Sequence, residues 1–329
     1  MKSKHFFTLL LLEFFLLLIL SVRFDREDIG PVKSIASGNK EGQVFNDSQS
    51  YVKYVEYFRG AATLREVGVP FVYRPAVPLL ASLLPFRPMT AINIVNAIAL
   101  SGGLVLLFLF FLRRPFPFHL TIIGSLMYVV AFPTFYYGSV GFIDPVLIFL
   151  LILGMHCIFH ARWWSLPVLI FCGVFVKETA VMLIPVAITY AVVRNDSYRM
   201  KIVILLLAFL IPYLTIKYIF SDVGSYVWIP SLDRVASNIR PRALLSTVLT
   251  FGLPGFLSLG YFLYRKQLVA LLGKEFLFPI LIGIMTSVAL LGYSFMSAYT
   301  DGRFMWTAYP WMIPLALAVL QVRKKSVTR

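Results

Sequence analysis

Seven residues combine charge or hydrogen-bonding capacity with positions beside apolar segments. They are Asp47, Tyr51, Arg74, Asp144, Lys177, Glu178 and Arg303. Lys177 and Glu178 are neighbours near the middle of the apolar stretch 166–193. A charged side chain at the centre of a membrane span costs roughly 2.5–3.5 kcal/mol on insertion scales, so such a residue usually faces a cavity or a partner. These residues are therefore the first candidates for a functional site.

The three cationic residues in this set indicate an anionic ligand. Arginine binds phosphate through a bidentate fork, and lysine binds it as a compact point charge. Arg74, Lys177 and Arg303 together predict a pocket for a lipid-linked phosphate or diphosphate. Structural alternatives stay open: an ion pair or headgroup contact for the Lys177 segment, and headgroup anchoring for the two arginines.

Asp47 and Asp144 each precede a predicted helix and allow two interpretations. An aspartate at this position accepts hydrogen bonds from the first amides of the helix, and Pro145 fits the first helical turn. Asp47 is also suited to act as a general base that takes a proton from an incoming hydroxyl group. For Asp144 we predict a buried pair with Lys177 at the wall of a cavity.

The composition assigns these residues to a membrane protein. Of the 329 residues, 59% are hydrophobic and only 14% are charged, and the mean hydropathy is +0.83. Runs of about 20 apolar residues predict transmembrane helices. The net charge of +15 is scattered between these runs without a recognition motif, so we expect no nucleic-acid partner.

We predict one all-α, multi-pass membrane domain covering residues 1–329, with about ten transmembrane helices. Residues 23–88 form the loop after the first span, in which Tyr51, Tyr54, Val55, Phe58 and Ala62 share one face of an amphipathic surface helix. The segment "YRPAVPLLASLLP" predicts a second short helix there. The spans are predicted near 6–22, 90–112, 118–137, 143–160, 165–176, 179–193, 202–221, 243–264, 276–293 and 304–320.

The basic residues favour one orientation of this bundle. With both termini in the cytoplasm, the inner loops carry most of the lysine and arginine and few acids, as the positive-inside rule requires. This orientation predicts that one set of charged residues all emerges on the non-cytoplasmic face: Asp47, Arg74, Asp144, Lys177, Glu178, Asp301 and Arg303. The histidines lack the spacing of a zinc site, so we predict no cofactor; a divalent metal is compatible with the acids but not indicated by their spacing.

The order of the motifs resembles the GT-C superfamily of integral membrane glycosyltransferases. Similar features run from about residue 45 to 310, and each is short. They are an acid in the first outer loop (Asp47 with Tyr51), a "YRxxxP"-like segment (Tyr73, Arg74, Pro78), a "DP" helix start (Asp144, Pro145), a "KxxAxxxxP"-like turn (Lys177, Ala180, Pro185) and a late arginine before an aromatic-proline helix (Arg303, Tyr309, Pro310).

This resemblance implies the inverting transfer of a sugar from a polyprenyl-phosphate-linked donor to a hydroxyl group of a glycan, lipid or protein acceptor. Asp47 would be the base, and the three cations would hold the phosphate. Asp144 and Glu178 would position Lys177 or contact the sugar. The expected location is the bacterial inner or plasma membrane with the site facing outward, in synthesis of a cell-envelope glycan. Alternative bases closer to the first span are Asp25, Glu27 and Asp28.

Two other classes of protein remain open. A secondary transporter or flippase for a lipid-linked or anionic substrate would use the same charges during alternating access. Transporters commonly show paired halves with broken helices at the midplane, and the sequence shows one such break, at Lys177. A non-catalytic assembly subunit would need the same residues for complex stability alone.

Overall fold

The computed structural model describes residues 2–22, 24, 47–196, 199–224, 229–298 and 301–327. Helices make up the regular secondary structure of these residues, and no strand occurs among them, which confirms the all-α class. Short 3-10 helices cover Phe71–Tyr73, Glu178–Met182 and Ser221–Val223. The α-helices are α1 (Ser3–Ser21), α2 (Asp47–Phe58), α3 (Leu64–Val67), α4 (Ala76–Ser82), α5 (Pro88–Leu112), α6 (Phe118–Val129), α7 (Phe132–Tyr137), α8 (Asp144–Phe159), α9 (Ser165–Val176), α10 (Leu183–Val193), α11 (Arg199–Ile219), α12 (Leu232–Asn238), α13 (Pro241–Ser258), α14 (Tyr261–Leu272), α15 (Lys274–Ser297), α16 (Arg303–Trp306) and α17 (Tyr309–Val327).

Four of these helices, α1, α5, α11 and α15, are long and apolar enough to cross a membrane. The pair α13 and α14, bent by 56° at a short break, gives up to five. The chain is thus of the membrane-protein type, but the prediction of about ten spans is not confirmed. Several predicted spans are apolar helices of 10–17 residues, and a span needs about 20 residues.

Local chemistry explains why these apolar segments are short. The helix predicted over 118–137 is divided at Ala131, whose backbone is extended, because Pro133 lacks an N–H group and its ring would clash with the carbonyl group of Val129, four residues earlier and the last residue of α6. The next division falls at Lys177, whose extended backbone, with φ −165° and ψ 133°, ends α9. Both breaks occur where polar or proline residues interrupt an otherwise continuous apolar run.

The first predicted surface helix is present as α2, and its apolar face packs against protein. Tyr51, Tyr54 and Val55 are almost fully buried, and α2 contacts α4 and α5. The helix ends at Phe58, so the predicted contribution of Ala62 to this face is wrong. The second predicted helix is α4, which begins directly after Pro75.

A single arginine joins the ends of α2 and α4. The Arg59 guanidinium group donates hydrogen bonds to the carbonyl oxygens of Ala81, Ser82, Leu84 and Phe86, at distances between 2.6 and 3.3 Å. These carbonyl groups end or follow α4, and the arginine supplies hydrogen bonds to several of them together, while the Ala81 carbonyl oxygen also accepts from the Leu84 N–H. This cap fixes α2, and with it Asp47 and Tyr51, relative to the segment that contains Arg74.

Helix α8 lies in the interior of the bundle and carries Asp144 at its first position. Nearly all of its side chains are buried, and it contacts α5, α9, α10 and α17. A helix that is apolar around its whole circumference is stable when neighbours surround it. Because α8 is fixed on all sides, Asp144 has a defined position at one end of the bundle.

Candidate functional site

Arg74 forms a bidentate ion pair with Glu178. Its Nε and Nη2 atoms lie 3.0 and 2.6 Å from the two carboxylate oxygens of Glu178, and Nη1 donates to the Tyr51 hydroxyl at 3.2 Å. Burial by itself would lower the pKa of the Arg74 guanidinium group, but the Glu178 carboxylate and the Tyr51 hydroxyl raise this pKa well above its usual value. Arg74 is therefore a permanent cation with three fixed hydrogen bonds.

Lys177 pairs with Asp144, as predicted. The Lys177 Nζ atom lies 2.7 Å from Asp144 Oδ1, and the side chains are only 11% and 6% exposed. The Phe304 ring centroid lies 5.5 Å from the same Nζ atom, within the range of a cation–π contact. A buried pair of this kind is stable only when each charge keeps its partner.

Arg303 contacts three carboxylates. Its Nη1 atom lies 2.8 Å from Asp47 Oδ2 and 3.9 Å from Asp144 Oδ2, while Nε lies 3.0 Å from Asp301 Oδ2. The guanidinium carbon stacks 4.1 Å from the centroid of the Phe142 ring. Arg303 thereby connects the acid at the start of α2 with the acid at the start of α8.

These contacts form two groups that meet at the adjacent residues Lys177 and Glu178, and we name them together the ion-pair cluster. Its members are Arg74, Glu178 and Tyr51 in one group and Lys177, Asp144, Arg303, Asp47 and Asp301 in the other. Its members come from α2, α8, the start of α16 and the turn before it, the residues before α4 and the break between α9 and α10. With three cationic and four acidic side chains, the cluster has a formal net charge of −1. Residues as distant in sequence as 47 and 303 thus meet at one end of the bundle.

The cations of the ion-pair cluster are more deeply buried than most of its acids. The Arg74, Lys177 and Arg303 side chains are 6%, 11% and 14% exposed. In contrast, the side chains of Asp47, Glu178 and Asp301 are 30%, 36% and 36% exposed. The cations therefore do not line an open anion pocket. A phosphate would have to replace a carboxylate at one of them.

Asp301 is the charged group for which the sequence suggested no role. The sequence feature that could have identified it is its position two residues before Arg303 in "TDGRF". In the structure Asp301 accepts hydrogen bonds from both the backbone N–H and the Nε atom of Arg303. Ser246 was also missed, because no motif surrounds it. Its Oγ atom accepts from the Gly302 N–H at 2.9 Å and lies 2.8 Å from the Tyr137 hydroxyl oxygen.

Gly302 is packed so closely that a side chain has no room. A Cβ atom there would collide with the Ser246 carbonyl oxygen and the Thr250 hydroxyl oxygen of α13. Since the backbone cannot retreat without moving Arg303, we expect Gly302→Ala to lower the free energy of unfolding by about 1–3 kcal/mol, a typical range for overpacking. Thermal unfolding of the purified chain in detergent measures this change.

Gly292 is the matched control for Gly302. It lies inside α15 with open space where a Cβ atom would be placed. Alanine is the better helix former by up to about 1 kcal/mol, so Gly292→Ala should leave stability unchanged or raise it. Equal destabilisation by both substitutions would show that the contact between Gly302 and α13 has no special importance.

An apolar groove lies between α6, α7 and the kinked helix α13. Gly252 produces the kink with φ 52° and ψ −165°, a backbone conformation that glycine adopts readily. The groove has a volume of about 310 Å³, and its lining includes Met127, Phe132, Leu253 and Tyr309. Since α7 and α13 also carry Tyr137 and Ser246, the elements that form the groove contact the turn that holds Arg303.

The donor set of the cluster is arranged for ion pairs. Within the described ranges, no group of three or more His, Cys, Asp or Glu side chains has the arrangement of a metal site. The acids of the ion-pair cluster face Arg or Lys groups. His156 contacts the Leu106 carbonyl oxygen near the opposite end of α8. The prediction of no cofactor, with a divalent metal compatible but not indicated, stays untested.

Fold and site together define an all-helical protein of the membrane type, with a largely buried ion-pair cluster at one end of its helices. No known protein family, curated protein or solved structure matches the chain. The assignment of function therefore depends on the chemistry of the cluster.

Proposed function

We propose that the protein is a membrane-embedded glycosyltransferase that moves a sugar from a polyprenyl-phosphate-linked donor to a hydroxyl acceptor on the non-cytoplasmic face. The observation that carries this proposal is the geometry of Asp47. Its carboxylate is partly exposed and is held 2.8 Å from the buried guanidinium group of Arg303. An accessible base beside a cation meets the two needs of the reaction, deprotonation of the acceptor and stabilisation of a phosphate leaving group.

The reaction would proceed by direct displacement. The acceptor oxygen attacks the anomeric carbon of the sugar, the bond between that carbon and the phosphate oxygen breaks, and polyprenyl phosphate leaves with the electron pair. Asp47 takes the proton of the acceptor hydroxyl. The configuration at the anomeric carbon inverts, because the acceptor and the leaving group occupy opposite faces of the sugar.

Two further features support this proposal. The groove beside α13 is apolar and adjoins elements that hold the Arg303 turn, as the isoprenoid chain of a lipid-linked donor requires. The order of short motifs resembles the GT-C glycosyltransferases, in which the substrate is a lipid-linked sugar. Tyr51, which accepts from Arg74, would keep that guanidinium group oriented while Glu178 or Asp144 contacts the sugar.

Deletion of the gene tests the proposal directly. Mass spectrometry of polyprenyl-linked sugars and surface glycans is expected to show one lipid-linked sugar accumulating and one glycan lacking that sugar. The native sequence should reverse both changes. If deletion alters neither lipid nor glycan, glycosyl transfer is excluded and transport becomes the leading function.

Transport of a lipid-linked or anionic substrate is the second candidate, and one observation favours it. Besides the break at Lys177, the structure contains a second broken helix, α13–α14, with a bend of 56°. Paired broken helices are common in secondary transporters. The two breaks in this protein are not alike in position: the ion-pair cluster lies at the first break, whereas the second lies between residues 258 and 261.

Accessibility of the cluster distinguishes the two candidates. Asp301 is 36% exposed, so Asp301→Cys in a chain with Cys157→Ala and Cys172→Ala provides one reactive thiol. A membrane-impermeant maleimide should label it from the outer face alone if the protein is a transferase. Labelling from both faces would indicate alternating access and would favour a transporter.

A further inference from the structure

Arg114 lies in an aromatic cage at the end of α8 opposite to the ion-pair cluster. Its guanidinium carbon is 5.0, 5.4 and 4.7 Å from the ring centroids of Phe110, Phe159 and Phe276. One Nη2 atom donates to the Phe159 carbonyl oxygen at 3.3 Å, while the buried Nε atom has no hydrogen-bond partner. The rings fix the position of a cation whose hydrogen-bonding capacity is mostly unused.

The charged groups around Arg114 are mostly cationic, although the charge of Glu275 in the first turn of α15 also acts on Arg114. Arg113 lies next to it in sequence and contacts His160, and Arg194 packs on the Tyr190 ring, which in turn contacts Phe159. None of these three arginines has a carboxylate oxygen within 4.0 Å in the part of the chain that the structure describes. In the ion-pair cluster, by contrast, each cation has an acidic partner.

The position of Arg113 and Arg114 along the helices indicates which kind of anion could pair with them. Arg113 and Arg114 directly follow α5, and Phe276 lies in the first turn of α15; both helices are long and apolar enough to cross a membrane. From Asp144 to Phe159, helix α8 rises about 22 Å. The cage therefore lies near the ends of apolar helices, at the depth where lipid headgroups meet a membrane protein.

We propose that Arg113, Arg114 and Arg194 form a binding site for the phosphate of an anionic phospholipid headgroup. The guanidinium groups supply charge-assisted hydrogen bonds to phosphate oxygens. The aromatic cage holds Arg114 in place before the lipid arrives, so little side-chain freedom is lost on binding. This site is separate from the ion-pair cluster and does not depend on the reaction catalysed there.

Native mass spectrometry of the full chain in detergent, titrated with phosphatidylglycerol or phosphatidylcholine, tests the site. The native chain should bind phosphatidylglycerol more tightly than phosphatidylcholine. Arg114→Met should weaken phosphatidylglycerol binding by about tenfold or more, which corresponds to the loss of one hydrogen bond to a charged group. Arg113→Met, at an exposed position, should weaken it as well and covers the case in which Arg114→Met does not fold.

Lys201→Met is the matched control. Lys201 packs 4.2 Å from the Trp163 ring centroid but has a carboxylate partner in Asp196 at 3.6 Å, so its loss should not change lipid binding. Equal affinity of the native chain for both lipids, or unchanged phosphatidylglycerol binding in both arginine variants, would leave Arg114 as a cap of α8 and overturn the proposal. Displacement of phosphatidylglycerol by millimolar inorganic phosphate would assign the site to a water-soluble phosphate compound.

Discussion

Replacing Lys177 by methionine is expected to lower the free energy of unfolding by about 3–5 kcal/mol, because removal of one partner leaves the other charge buried without compensation. The Asp144 side chain is 6% exposed, and Lys177 Nζ is the nearest cationic atom to it, at 2.7 Å. Arg303 lies farther away, at 3.9 Å, and is shared with two other acids. It therefore compensates for only part of the loss.

A double-mutant cycle measures the interaction energy of the Asp144–Lys177 pair separately from the contacts of each residue with its surroundings. Asp144→Asn combined with Lys177→Met should restore much of the stability lost in the single variants, since no isolated charge remains. Exchanging the two charges is a poorer test, because lysine at position 144 would face Arg303. Chemical unfolding in detergent, monitored by circular dichroism, provides the measurement.

The control for this pair is an ion pair on the surface of α2. Lys53 and Glu56 are 2.8 Å apart, but their side chains are 45% and 29% exposed. Exposed pairs of this type contribute about 0–1 kcal/mol, so Lys53→Met should change stability little. If Lys177→Met is no more destabilising than Lys53→Met, the buried pair is not a structural requirement of the fold.

Asp47→Asn is expected to reduce the rate of sugar transfer by about 10²–10⁴-fold, the usual contribution of a general base. The protein should remain folded, because asparagine keeps an oxygen that accepts from Arg303 and the position is 30% exposed. Rates can be compared in purified variants supplied with lipid extract and acceptor glycan from the deletion strain. Thermal unfolding of the same preparations verifies that the fold is intact.

Glu56→Gln is the matched control, since Glu56 lies on the same helix but pairs with Lys53 on the side away from the ion-pair cluster. We expect native activity from this variant. Full transfer by a folded Asp47→Asn chain would exclude Asp47 as the base. The candidates would then be Asp25, Glu27 and Asp28, which lie outside the described residues.

The sequence by itself determined the helical class, the locations of most of the helices and the identity of most of the charged residues that meet; Asp301 is the exception. Charged groups are rare in apolar segments, so each one was conspicuous without any knowledge of its neighbours. The apolar face of α2 followed from spacing alone, and Pro145 marked the start of α8. These features depend on local physical chemistry, which a sequence displays directly.

The tertiary structure decided most of the pairing among the charges. Lys177 and Glu178 are adjacent, and an ion pair confined to their own segment was one open interpretation. The extended backbone at Lys177 directs consecutive side chains to opposite sides, so Lys177 reaches Asp144 and Glu178 reaches Arg74. The close packing of Gly302 against α13 similarly fixes the contact of Arg303 with Asp47. The sequence predicted the Lys177–Asp144 pair, but the partners of Arg74 and Arg303 depend on how distant helices pack, and residue spacing does not contain that information.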